Sequence, residues 1–303
     1  MRWPFFVSSI AQYWCIRRSF CLYAAMPWLA QLELDYTLAA ARTRLHFRHD
    51  GPLRVLRSLY PEGDGICHNV LIHPPGGLVS GDTLDIRCRV GTGAHALVTT
   101  PGATRFYKTD AQGAVAQQIT HLQLESGARL EWLPLEALAY NQCQAQNLLH
   151  LDIAPGAELM AWDITAFGLP HAHEPFVQGN FTQHMEWPGL WLEHGTLRAE
   201  DARLMDGPLG LAGQRCMASM VLACGTPLTR TQREHLLDAT RAVLDAHPQG
   251  SWCGITAPND HMLVLRGLAP VVEPLMQLWQ QVRVCWRKEH WGLEGSMPRI
   301  WNM

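Results

Sequence analysis

Several function classes are removed by what this sequence lacks. Its nine cysteines (Cys15, Cys21, Cys67, Cys88, Cys143, Cys216, Cys224, Cys253 and Cys285) are odd in number and scattered, with no Cys-x-x-Cys pair. A disulfide framework or structural zinc site needs tighter or paired spacing. Free, buried thiols in a reducing compartment fit instead, and the cytoplasm is the expected location. No apolar run approaches the roughly 20 residues that span a bilayer, so no membrane partner is expected. No cluster of lysine and arginine forms a basic face of the kind nucleic-acid backbones require. The net charge is −3, and beyond residue 25 the chain holds 21 basic against 27 acidic residues. Nucleic acid is therefore excluded as an expected partner. Gly-x-Ser-x-Gly, the P-loop, His-Glu-x-x-His and a strand-to-helix dinucleotide fingerprint are also missing. The glycine-rich run Gly207-Pro208-Leu209-Gly210-Leu211-Ala212-Gly213 has no following lysine or helix and reads as a loop.

What is present is a chain of 303 residues, 48% apolar and 17% charged, long enough for a sizeable core. From Leu84 to Val90 the apolar residues fall on even numbers and Asp85, Arg87 and Arg89 on odd ones. Period two predicts a strand with one buried face. The pattern returns at Leu32-Leu34-Tyr36, Leu45-Phe47, Ala128-Leu130-Trp132 and Leu149-Leu151-Ile153. A weak repeat accompanies it, with turns ending in Gly93-Ala94, Gly127-Ala128 and Gly156-Ala157. Glycine supplies the positive φ such turns often require. The spacing favours stacked antiparallel hairpins over a βαβ sheet, as two β layers around one elongated core.

The C-terminal quarter changes character. Thr229 is placed to cap a helix running to about His247, ended by Pro248 and Gly250. A second helix is expected from Pro270 to Lys288, with Val271, Leu275, Leu278, Val282 and Cys285 at helical spacing. Between them Trp252–Thr256 and Met262–Leu265 form a hairpin about Pro258-Asn259-Asp260. The fold class is thus mainly β, with elongated superhelical or stacked antiparallel layers and two helices near the C-terminus. Residues 26–303 form one β-rich domain with an α/β end. Residues 1–25 mix short apolar runs with Arg17 and Arg18, which suits neither a membrane span nor a signal peptide. Translation is expected to start at Met26, making 1–25 an upstream extension.

Three places could carry chemistry. His73-Pro74-Pro75-Gly76-Gly77 forces a sharp reversal, since proline fixes φ and glycine frees it; it presents Ser80 and Asp82, with Asp82 as a possible cap for backbone N–H groups. Glu131 and Glu136 flank Trp132-Leu133-Pro134. Glu131 is expected to face water on the polar side of its strand, while Glu136, beside Ala137-Leu138-Ala139-Tyr140, should face water, an arginine or a cation path, because unpaired burial is costly. His171-Ala172-His173-Glu174 is the most metal-like cluster, because an extended segment sends both imidazoles to one side and imidazole suits nickel, copper or zinc.

These motifs resemble the urease accessory protein UreD (UreH) family. The likeness runs from about Pro27 to Trp301. It rests on His73-Pro74-Pro75-Gly76-Gly77 with Gly81-Asp82, Thr99-Thr100-Pro101 with Thr104 and Phe106-Tyr107, Glu131-Trp132-Leu133-Pro134 with Glu136, Gly168 with Glu174, and Pro298-Arg299-Ile300-Trp301. The resemblance implies a β-rich superhelical fold and a non-enzymatic cytoplasmic role in nickel insertion. It also implies UreF, the GTPase UreG and apo-urease as partners, and no tightly bound cofactor beyond transient nickel. Acidic residues of a nickel passage would be Asp82, Glu136 and Glu174. Where the family usually has Gly-Arg, this chain has Gly168-Leu169, and His171 and His173 stand nearby as a substitute cation site. The competing expectation is a metal-dependent hydrolase or lyase on a β scaffold, with His171, His173 and Glu174 as ligands; a catalytic site would need a third strong ligand, a base and a pocket. Twelve tryptophans suggest exposed aromatic surface for a partner, unless the core absorbs them.

Overall fold

The computed structural model describes residues 27–302. The chain enters through the hairpin of β1 (Leu29–Ala39) and β2 (Arg42–Asp50), then the short β3 (Arg54–Val55). From β4 (Ile66–Ile72) onward it winds as a two-layered coil. Strands β5 (Thr83–Val90), β8 (Ala116–Leu124), β11 (Gln144–Ile153) and β14 (Asn180–Trp187) alternate with β6 (His95–Thr99), β9 (Arg129–Leu133) and β12 (Glu158–Leu169) in the opposite layer. The returns between layers carry β7 (Thr104–Phe106), β10 (Ala137–Ala139) and β13 (Glu174–Pro175). After β14 come β15 (Trp191–Arg198), a short helix α1 (Ala202–Asp206), β16 (Cys216–Cys224), α2 (Arg230–Asp245), β17 (Cys253–Asn259), β18 (Met262–Ala269) and α3 (Val272–Trp291).

One sheet runs β15-β14-β11-β8-β5-β1-β2, and the other β17-β18-β16-β12-β9-β6-β4-β3. The mainly β superhelix with long helices near the C-terminus is the expected one, but its strand pairing is more specific. Strands β1, β5, β8, β11 and β14 pair parallel, as do β4, β6, β9 and β12, while antiparallel pairs close the flanks. The three Gly-Ala turns are therefore not hairpins. Each is an arch that carries the chain from one sheet to the other, and successive arches stack: Gly93 N–H donates to the Ser126 carbonyl at 3.2 Å. Period two marks a half-buried strand but not the neighbour it pairs with, so arch and hairpin look alike in sequence.

The even-numbered residues Leu84, Ile86, Cys88 and Val90 face the core between the sheets, as their alternation requires. Strand β6 is buried at every position, because its other face is covered too, and a strand covered on both faces loses its alternation. That second cover is α2 and α3. Leu236, Leu244, Leu275, Leu278, Trp279, Val282 and Trp286 pack on Leu97, Leu133, Met160, Trp162, Met220 and Leu265. The Thr229 side chain accepts from Gln232 N–H and the Gln232 side chain accepts from Thr229 N–H, a reciprocal cap. Helix α3 runs three residues past its expected end, to Trp291, and is closed by Gly292 at φ 63°, the left-handed cap that glycine adopts readily. Helix α1 was not expected; the Asp201 side chain caps it by accepting from Leu204 N–H. Among the described tryptophans only Trp28 and Trp252 are exposed, so packing absorbs most of the aromatic surface. No described helix is long and apolar enough to cross a membrane, and the seven described cysteines are free. The expected start at Met26 lies outside the described residues.

Glu131 departs most from expectation. It is fully buried, not facing water. Arg283 Nε donates to its Oε2 at 2.6 Å, and Arg287, one turn further along α3, binds its other oxygen and also Glu62. Glu62 in turn meets His68 at 2.8 Å. The two arginines also hold the closing segment, through the carbonyls of Ser296 and Glu294, each at 2.7 Å.

Candidate functional site

Because the parallel strands of each sheet run the same way, all arches gather at one end of the coil and all returns at the other. The returns are residues 73–82, 100–115, 134–143 and 170–179. Apart from Glu131 and the closing Pro298–Trp301 segment, the motifs singled out in the sequence fall on them or where they join the strands. They are laced together by main chain. Leu78 N–H donates to Arg105 O at 2.7 Å and Tyr107 N–H to Leu78 O at 2.9 Å. β7 pairs parallel with β10, and β10 with the end of β12. The Tyr107 and Tyr140 rings meet at 4.9 Å between centroids. Gly77 is demanded here, since a Cβ would lie 2.9 Å from Arg105 O and inside the Tyr107 ring's space. The Trp301 indole reaches the same end from the C-terminal segment, donating to Thr99 Oγ1 at 2.8 Å.

Asp82 is buried, and both its oxygens are engaged by backbone: Oδ1 accepts from Trp28 N–H at 3.3 Å and Oδ2 from Val79 N–H at 3.0 Å. This is the capping corner foreseen for it. Glu136 is half-buried, and Glu174 is exposed. The two carboxylates flank the end of β12, because β10 pairs with Thr165–Phe167 and Glu174 pairs with Leu169. The extended conformation assumed for His171-Ala172-His173 is absent. Pro170–Ala172 is a 3-10 turn and His173 has φ 59°, so the alternation that would align the imidazoles does not apply. The physical cause is Pro170 opening the turn. His171 and His173 are exposed, and among the described residues none of Asp82, Glu136, His171, His173 and Glu174 joins a group of three ligating side chains within reach of one ion.

A carboxylate that the sequence reading missed lies deeper. Asp163 shares the inward parity of Leu159, Ala161 and Phe167 on β12. Asn147 Nδ2 donates to it at 2.6 Å, Gln183 Nε2 at 2.8 Å and the Thr165 hydroxyl at 3.0 Å. Gln118 reaches Asn147 at 3.4 Å, and Thr104, on the return, reaches Gln118 at 3.3 Å. A file of neutral polar groups thus runs from the returns to one carboxylate between the sheets. Burial, opposed by the Thr165 hydroxyl and reinforced by Glu193, pushes the Asp163 carboxyl up to about 6. Its signal was an acid at the parity of core residues, hidden by the run Leu159-Met160-Ala161-Trp162, which is apolar at both parities.

Comparison with known proteins decides the family. The model of the UreD urease accessory protein family matches residues 29–302. This chain belongs to the UreD family. It is 60% identical over 278 residues to the urease accessory protein UreD of Verminephrobacter eiseniae, covering 92% of this chain and 100% of that protein. The UreD of Paracidovorax citrulli is 59% identical over the same lengths. That of Leptothrix cholodnii is 48% identical over 279 residues, 91% of this chain and 100% of its own. Membership in a urease accessory family directs attention to the return end, where the motifs that suggested UreD are concentrated.

Proposed function

We propose that this UreD-family chain acts in the cytoplasm as a non-enzymatic scaffold that assists nickel insertion into apo-urease. In this reading it docks a nickel-delivery complex of UreF and the GTPase UreG onto urease and binds no cofactor tightly. The observation that carries it is the gathering of Asp82, Glu136 and Glu174 at one end of the coil, with a polar file leading inward to Asp163. Carboxylates suit the handling of a mobile dication, because they attract it without holding it as thiolates would. Glu136 and Glu174, both accessible at this end, make no side-chain hydrogen bond or ion pair among the described residues, which leaves them available to a passing ion. Asp82 serves the corner that shapes the end.

The deciding experiment compares the nickel content of urease purified from cells with and without this chain, all other accessory proteins being kept. Nickel-poor, inactive urease only in the deletion supports the assembly role. Equal loading in both overturns it.

A further inference from the structure

The outer face of the seven-stranded sheet carries a row of imidazoles on four adjacent strands. His121 on β8 stands directly opposite His150 on β11, their rings stacked at 4.8 Å and 16°. His150 is in register with Glu186 on β14, and His184, two residues earlier, pairs with His194 on β15. His184 Nε2 lies 3.1 Å from Glu186 Oε2, and His150 Nδ1 lies 3.9 Å from the same oxygen. On its other side His184 Nδ1 is 3.1 Å from His194 Nδ1. One ligand atom from each of His150, His184 and Glu186 can be chosen so that all lie within 4.8 Å of one another.

Ligands held about 2.0–2.2 Å from one ion stand about 3.0–3.5 Å apart when they are neighbours in its coordination shell. The His184–Glu186 separation falls within that range and the His150–Glu186 separation lies above it, so a small rotation of the His150 side chain would close the set. Two imidazoles and one carboxylate match the donor preference of late first-row divalent ions rather than calcium or magnesium. Glu186 is free for this role: among the described residues no arginine or lysine pairs with it, whereas histidines contact it from two sides. A second three-ligand grouping among the described residues, Glu158, Cys224 and His290, is less suited. Arg129 donates to Glu158 at 2.8 Å, and burial pushes the Cys224 thiol up, so its carboxylate is occupied and its thiolate is disfavoured.

We propose that His150, His184 and Glu186 form a surface binding site for a divalent late first-row transition ion, flanked by His121 and His194 as alternative ligands. The site lies mid-strand on the outer face, apart from the returns, and does not depend on the nickel-insertion reading.

Titration calorimetry of the purified full chain with nickel chloride, and separately zinc chloride, tests it against the His150→Ala/His184→Ala variant and E186Q. The original chain should take up one more ion than the double variant. E186Q should bind that ion at least tenfold more weakly, and magnesium chloride should give no corresponding heat. Unchanged stoichiometry and affinity in the double variant, with an unchanged circular dichroism spectrum, would overturn the site. If the double variant fails to fold, E186Q decides alone, with unaltered binding counting against the proposal. Nickel loading of urease is read separately: loss of this binding with urease still filled establishes the site while detaching it from assembly.

Discussion

Glu131 and Arg283 form an ion pair with no exposure on either side chain, Nε to Oε2 at 2.6 Å across 152 residues of sequence. The pair joins the middle of the parallel sheet to the last long helix. Burial alone would push the Glu131 carboxyl up, but Arg283, His95 and Arg287 outweigh it and hold the group down at about 2. Removing one member of a buried pair strands the others in a poor solvent. Glu131→Ala is accordingly expected to cost about 3–5 kcal/mol of stability, measured by urea unfolding. Glu131→Gln should cost less, since it keeps the shape and one acceptor. Because the folded group titrates below the unfolded one, its stabilising contribution is present above about pH 4.5 and is lost as pH falls toward 2.

Asp163 carries the opposite sign. Its folded carboxyl titrates at about 6, above the ordinary 3.8, so the folded state holds a proton that the unfolded chain releases earlier. Stability from this group is full below pH 3.8 and is lost as pH rises to 6. Asp163→Asn should remove that slope, which amounts to at most about 1.4 kcal/mol per pH unit. Thermal unfolding of both chains between pH 4 and 7 checks it; a constant gap between the two curves would refute the assignment.

Asp82, Glu136 and Glu174 at the return end should separate by experiment. Asp82→Ala leaves the Trp28 and Val79 N–H groups without their acceptor and should cost about 1–3 kcal/mol. Glu136→Gln and Glu174→Gln should alter stability by no more than about 0.5 kcal/mol. Under the proposed function these two lower the nickel content of urease while their melting temperatures stay put. A nickel defect confined to Asp82→Ala would mean that the corner's shape, not carboxylate charge, is what matters.

Gly168 sits at φ 70°, and a Cβ there would lie 2.5 Å from Phe176 N and 2.7 Å from Glu174 O. Gly168→Ala should break the pairing of β12 with β13 and cost about 1–3 kcal/mol from backbone strain. Limited proteolysis should then cut within residues 170–179 at protease levels that leave the original chain intact.

Strands β1, β2, β5, β9 and β11, both long helices and the hairpin between them were legible because each has a local cause: alternation, a capping threonine, a proline-asparagine turn. Strand partners were not, because arches and hairpins use the same Gly-Ala residues and differ only in which sheet receives the next strand. Glu131 was misjudged for a related reason. Its parity along β9 marks the side away from the inter-sheet core, and nothing local shows that α3 covers that side. Arg283 and Arg287 carried the missing signal, as two charges four residues apart on the apolar stripe of Leu275, Leu278, Val282 and Trp286. At the return end the sequence identified Asp82 and its capping role but assumed an extended His171–Glu174, overlooking Pro170 as the start of a turn. The imidazole row was invisible because its members are spread from His121 to His194 and meet only through the register of neighbouring strands, parallel for β8, β11 and β14 and antiparallel for β14 and β15.

Helix α3 has a consequence for the order in which the molecule can be completed. The ribosome delivers β4 to β12 well before residues 272–291, so during synthesis one face of the second sheet stands bare, with Leu97, Leu133, Met160 and Trp162 in water and Glu131 without its arginines. Neighbouring coils touch early, but the half-made chain is a sticky intermediate whose neutralising charges arrive last. Shielding of that face is a need of the nascent polypeptide, and a chain cut short before α3 would aggregate rather than merely unfold.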